Sequence, residues 1–331
     1  MFDLKLSANF LATTPEVFMS APPKDESKGS WLPEVLTTLA MATGIGYLAV
    51  SYSVSRWLTR PTRRPPQMTP SDLGLTWEKI ECRTPDGIRL AGWMVEPSQP
   101  RGTVALFHGL RHHKEKMLAR IAILAAAGYR CVAFDHRAHG ESAGKRTSFG
   151  FHEKWDVIAV LDFVHKQWPR QPRAALGVSM GAAAICFAAK QLKDLDAIIL
   201  ESCYMDIGSA FSNRLKNGFP TWYKRLSRGV VWVSERRLGL RLRDLVPAQH
   251  IGDLAPAPVL LLTGTDDPHA PPIEAQNLYE RCRGPREIWL IPGAGHRDVV
   301  ETGGSLYRHR ILDFLARRFS INSACGTRRA G

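Results

Sequence analysis

No two of the six cysteines, at 82, 131, 186, 203, 282 and 325, are spaced C-x-x-C. Their scatter excludes a zinc ribbon, and their number is too low for a small disulfide scaffold. Cys131 and Cys186 lie in apolar stretches and read as plain buried residues, and reduced thiols fit a cytoplasmic domain. The zinc-hydrolase pattern H-E-x-x-H is missing as well. His108 and His112 have its i, i+4 spacing, but Gly-Leu-Arg stands between them where a glutamate is needed. With His113, His136 and His139 they form a histidine-rich region better suited to structural roles than to a metal. No metal and no cofactor are expected. No internal repeat occurs, which excludes solenoids and propellers.

Acidic residues are scarce. Asp and Glu number 31 against 44 Lys and Arg, a net charge of +13. The excess is clustered at Arg56, Arg60, Arg63 and Arg64 and again at Arg317, Arg318, Arg328 and Arg329. It also gathers between Tyr204 and Pro247, with nine basic residues and three acidic ones. Such clusters attract nucleic acid or anionic membranes, or serve solubility alone.

A long charge-free stretch occurs between residues 35 and 55, VLTTLAMATGIGYLAVSYSVS. As a helix its 21 residues would reach about 31 Å, close to the hydrocarbon thickness of a bilayer. Trp31, Tyr52 and Trp57 stand near its ends, where interfacial aromatics belong. A cleaved signal around Ala40-Met41-Ala42 and a buried core helix are the alternatives, but more than 30 residues precede the stretch and no basic region adjoins it on that side. The arginines after it outweigh the lysines before it, which puts the C-terminal domain in the cytoplasm. The expected organisation is a disordered segment 1–30, a transmembrane helix 31–57 and a Pro/Arg-rich linker 58–71. A globular domain 72–319 and a basic tail 320–331 follow.

Beyond the linker, strands and helices alternate. WEKIECRT and IRLAGWMVEP around Pro85-Asp86-Gly87 read as an antiparallel hairpin. The apolar runs TVALFHG, RCVAFDHR, RAALGVS, DAIILES, PVLLLTG and EIWLIPG are spaced by stretches of helical periodicity such as 152–168 and 273–283. Short strands apolar on both faces predict a mostly parallel sheet flanked by helices, with ligands at the C-terminal strand ends. Residues 204–247 interrupt the series and fit a helical cap over such a site. Phe211, Phe219, Trp222, Tyr223 and Trp232 stand among its basic residues. They pack on the core, contact lipid headgroups, or bind single-stranded nucleic acid.

Three strand ends carry the groups of acyl transfer. Ser179 lies between Gly177 and Gly181 in G-x-S-x-G, where RAALGVS turns into small helix formers. Asp266 and Asp267 follow PVLLLTG, and His296 follows EIWLIPG. Asp267 is 88 residues after Ser179, and His296 is 29 further on. Nucleophile, acid and histidine in this order are a known arrangement. A histidine base would activate the serine, and the acid would orient the histidine. The backbone N–H of Met180 would hold the oxyanion.

LFHG at 106–109, FDHRAHGES at 134–142, GVSMG at 177–181, GTDDPHAP at 264–271 and GAGH at 293–296 stand in one order. On these motifs, residues 72–319 resemble the α/β-hydrolase superfamily, particularly its serine-aminopeptidase-like, often membrane-anchored branch. The resemblance implies catalytic Ser179, Asp267 (favoured over Asp266 by the Gly-x-x-Asp spacing) and His296. It adds Leu110 to Met180 in the oxyanion hole, with His108, Gly109, Gly177 and Gly181 in support. His269-Ala270 departs from the family, which often has an aliphatic residue before the proline. The expected fold is therefore an α/β-hydrolase with a helical cap and an N-terminal transmembrane helix. The expected activity is cleavage of carboxylic esters or thioesters through an acyl-enzyme. Alternatives are an aminopeptidase-like peptidase, with Glu201 to bind a substrate amine, and a non-catalytic binding protein. The expected partners are a small acyl-ester or lipid-like substrate and a membrane, with no nucleic acid, since the anchor favours lipid.

Overall fold

The computed structural model describes residues 31–192, 194–215 and 222–326. The segment 1–30, the cap residue Phe219 and the tail arginines Arg328 and Arg329 lie outside the described residues, as do the side chains of Trp222 and Tyr223. The chain divides into two units, up to Tyr47 and from Leu48 onward. Helix α1, Trp31–Leu58, crosses that boundary. It has 28 residues, and an 18-residue window within it reaches a mean hydropathy of 1.4, long and apolar enough to cross a membrane.

The second unit is built on one eight-stranded sheet. In chain order its strands are β1 (Glu78–Arg83), β2 (Arg89–Val95), β3 (Thr103–Phe107), β4 (Arg130–Phe134), β5 (Arg173–Val178), β6 (Ala197–Glu201), β7 (Val259–Gly264) and β8 (Arg286–Ile291). Their spatial order is β1-β2-β4-β3-β5-β6-β7-β8. β1 and β2 form the expected hairpin, β2 also runs antiparallel to β4, and the remaining neighbours are parallel.

The helices are α2 (Leu118–Ala126), α3 (Lys154–Gln167), α4 (Met180–Ala188), α5 (Ile207–Leu215), α6 (Trp222–Leu238), α7 (Pro272–Arg281) and α8 (Val299–Gly326). The two-residue strand period divides the core between the two faces. Ala105 and Phe107 of β3 join Val157 and Val160 of α3, Ile185 of α4 and Leu278 of α7. Val104 and Leu106 face the other way, toward Ile121 and Leu124 of α2 and Phe314 and Leu315 of α8. Sandwiched between helix layers, β3, β4, β6 and β7 are buried throughout, which is why they read as unbroken apolar runs. The cap region between β6 and β7 contains α5 and α6.

Within the second unit, the end of α1 and the proline-rich stretch after it pack on the loop that follows β4. Thr62 N–H donates to Ala138 O at 2.7 Å, Gly140 N–H to Thr62 O at 3.0 Å and Thr147 N–H to Thr59 O at 3.1 Å. Arg237 of α6 donates to Ser55 and Thr59 hydroxyls at 2.9 and 3.1 Å. Thr59 and Thr62, in the stretch expected as a Pro/Arg-rich linker, are thus hydrogen-bonded to the domain.

Candidate active site

Ser179 sits between the end of β5 and the start of α4 with φ 53° and ψ −110°. A non-glycine residue at positive φ is strained, and here the strain projects the side chain out of the turn. The flanking glycines are required by contact. A Cβ on Gly177 would lie 2.6 Å from Ala182 N, and one on Gly181 would lie 2.3 Å from Phe107 O. The turn is held from β6 by Ser179 N–H donating to Glu201 O at 2.8 Å.

The two partners come from the next strand ends. His296 Nε2 is 3.1 Å from Ser179 Oγ, and His296 Nδ1 is 2.8 Å from Asp267 Oδ2. Asp267 is buried, and its Oδ1 accepts the N–H groups of His269 and Ala270 at 2.8 and 2.9 Å. Burial opposes its ionisation. The hydrogen bond and charge of His296, with the two backbone N–H groups, outweigh that and hold the carboxyl below its ordinary value. An ionised Asp267 fixes the proton of His296 on Nδ1, which leaves Nε2 free to accept the serine proton. Asp266 is exposed and accepts from the Thr265 hydroxyl at 3.0 Å, away from the histidine. Of the two adjacent acids, Asp267 is the one that meets His296.

Leu110, Met180, Ser179 and His296 line one pocket. Met180 opens α4, where backbone N–H groups lack intrahelical acceptors. The Gly109 carbonyl accepts from His108 Nδ1 at 2.8 Å and from His112 N–H at 3.2 Å. Because a trans peptide holds its C=O and N–H on opposite sides, this clamp fixes the direction of the Leu110 N–H. His108 Nε2 accepts from His136 N–H at 3.0 Å, which leaves the ring proton on Nδ1. His108 is buried and held well below its ordinary pKa, first by burial and then by His136 and His139. Next in the chain, Arg111 has φ 61° and its N–H donates to His139 Nε2 at 3.2 Å. Two imidazoles from the histidine-rich region, His108 and His139, thus shape backbone. Among the described residues, no group of three His, Cys, Asp or Glu is arranged to hold a metal.

The pocket has a volume of about 30 Å3 and apolar walls from Phe149, Tyr204, Ile207, Ala210 and Ala270, with His269 beside His296. Phe149 and Tyr204 carry no signal in the sequence. They arrive through a strained turn, with Phe149 at φ 59°, and a hydrogen bond from Tyr204 Oη to Phe149 O at 2.5 Å. Of the cap aromatics, Phe211 packs edge-on against Phe149 at 5.5 Å, while Trp232 is exposed.

Glu201 departs from the expectation that it could meet a substrate amine. Its side chain is fully buried behind the elbow, bonded to Arg120 Nε at 2.8 Å and to the Tyr307 hydroxyl. The end of a strand offers two faces, and Glu201 points to the inner one. Arg137 braces its loop by pairing with Asp86 and Asp156, and Glu141 pairs with Lys114 at 2.6 Å. Lys114 is itself fully buried and pairs with Asp135 at 2.6 Å, a role that nothing in its local sequence indicates.

Residues 98–240 match the family described as serine aminopeptidase, S33. The Bacillus subtilis protein YqkD is 27% identical over 234 residues, 69% of this chain and 76% of its own length. The Saccharomyces cerevisiae membrane protein YNL320W is 25% identical over 257 residues, 75% of this chain and 82% of its own. The structure of the Pyrococcus furiosus esterase Pf2001 superposes with a TM-score of 0.67 at 24% identity, covering 79% of this chain and 98% of that one. Sheet order, elbow and these likenesses agree: the chain has the α/β-hydrolase fold, and its central segment is similar to the serine aminopeptidase family.

Proposed function

We propose that the protein is a serine hydrolase that cleaves carboxylic esters or thioesters through an acyl-enzyme. The observation that carries this reading is the unbroken line Ser179 Oγ, His296, Asp267, with contacts of 3.1 and 2.8 Å. His296 Nε2 takes the proton as Ser179 Oγ attacks the acyl carbon, and Asp267 stabilises the imidazolium that forms. The N–H groups of Leu110 and Met180 receive the developing oxyanion. His296 then protonates the leaving alcohol or thiol, and water repeats the sequence to release the acid. Losing one oxyanion donor typically costs about 2.7–4 kcal/mol.

The narrow, apolar pocket favours a small or slender acyl group. Structural likeness to the Pyrococcus furiosus esterase supports esters over peptides, as does the sequestered Glu201. A serine aminopeptidase would need a carboxylate for the substrate amine, and none lines this pocket among the described residues. Helix α1 would tether the domain to a membrane, with its arginine-rich end and the hydrolase unit on the cytoplasmic side. The test is turnover of a series of p-nitrophenyl esters against aminoacyl amides. Ester cleavage that vanishes in Ser179→Ala supports the reading, and faster amide cleavage overturns it.

A further inference from the structure

Within the unit that begins at Leu48, arginines gather around the last turn of α1 without carboxylates. The guanidinium carbon of Arg111 stands 4.1 Å from the centroid of the Trp57 ring, and that of Arg60 stands 5.8 Å from the same centroid. Two cations thus share one indole, which is 49% exposed. Arg237 lies 5.1 Å from the Tyr52 ring. Arg63 donates to Gly144 O, in the loop that also carries the exposed Arg146.

Arginine ion pairs occur elsewhere among the described residues, as at Arg120, Arg130 and Arg137, but none joins Arg56, Arg60, Arg111, Arg146 or Arg237 to a carboxylate. The like charges act on one another instead. Arg111 is lowered from its ordinary value by burial and then by Arg60. Arg237 is lowered by burial and then by Arg146 and Arg56, against an opposing effect of Tyr52. A cluster that repels itself is relieved by an anion from outside, and guanidinium groups match phosphate oxygens in geometry as well as charge.

We propose that Arg56, Arg60, Arg111 and Arg146 form a binding site for the phosphate headgroup of an anionic lipid. The inference rests on the proposed reading of α1 as a membrane span. The cluster lies where the charge-free stretch ends, and the exposed Tyr52 and Trp57 belong at the depth of headgroups. That position selects a lipid over a soluble phosphate. Arg111 follows Leu110, so a bound headgroup would sit one residue from the pocket wall.

The test uses the full-length protein in detergent micelles containing equal amounts of phosphatidylglycerol and phosphatidylcholine. Lipid retained on the intact protein is counted by native mass spectrometry. The site predicts preferential retention of phosphatidylglycerol, reduced roughly ten-fold by combining Arg56→Gln, Arg60→Gln and Arg146→Gln. The same number of charges removed at the other end of the domain, by Lys166→Gln, Arg170→Gln and Lys190→Gln, leaves retention at the wild-type level. Equal retention in both triple variants overturns the site. So does displacement of the lipid by millimolar glycerol phosphate, which would mark a soluble ligand. Carbonate extraction of wild-type membranes, run alongside, reports on the span alone and separates its failure from that of the site.

Discussion

His108 Nδ1 lies 2.8 Å from the carbonyl oxygen of Gly109, and that peptide carries the Leu110 N–H on its opposite side. In the proposed reaction the imidazole would therefore act only through the backbone that it aims. Replacing His108 with Ala frees the peptide to rotate, and kcat is expected to fall at least ten-fold, short of the roughly 10²–10³ for losing a donor outright. Asn places an amide near the position of Nδ1 and is expected to recover part of the loss. Steady-state ester kinetics check this, with the fluorophosphonate label still on Ser179 in both variants.

The two adjacent acids should separate cleanly. Asp267→Asn turns an acceptor of the His296 proton into a possible donor, which favours the wrong tautomer. A loss of about 10⁴ in kcat is expected. Asp266 is exposed and bonded to Thr265, so Asp266→Asn should stay within about two-fold of wild type. A comparison of kcat in the two variants decides the matter.

The buried Lys114 is a stability determinant. Its ammonium pairs with Asp135 and Glu141 at 2.6 Å each, and its backbone N–H bonds Asp135 Oδ1 at 2.7 Å. Lys114→Ala leaves the Asp135 carboxylate buried without its counter-charge and should cost about 3–5 kcal/mol in urea unfolding.

Stability should also fall on mild acidification through His112. Burial first, then the charges of Arg297, Lys116, His113 and His296, lower it from 6.5 to about 4. Between these values the unfolded chain binds a proton that the folded chain rejects, so unfolding gains as pH drops. Its contribution is complete above about pH 6.5 and lost toward pH 4. Thermal melting between pH 7.5 and 5 should therefore fall less in His112→Asn than in wild type.

Much of this molecule is legible in its sequence because the signals are local. β3, β6 and β7 announce themselves as apolar runs, since both their faces are covered. Gly177 and Gly181 announce the elbow, since no Cβ fits beside Phe107 or Ala182. What stayed hidden depends on partners far along the chain. Glu201 meets Arg120 across 81 residues, Thr62 meets Ala138 across the hairpin, and Phe149 enters the pocket on a strained turn. Which face of a strand end a carboxylate takes is decided by packing, and periodicity does not report it.

The central claim is that Ser179 is the nucleophile. Intact full-length protein treated with a fluorophosphonate and digested should yield one phosphonylated peptide, spanning GVSMG and modified at Ser179. Ser179→Ala should yield none while keeping the wild-type circular dichroism spectrum. An adduct on another residue, or equal labelling of wild type and variant, would contradict the account.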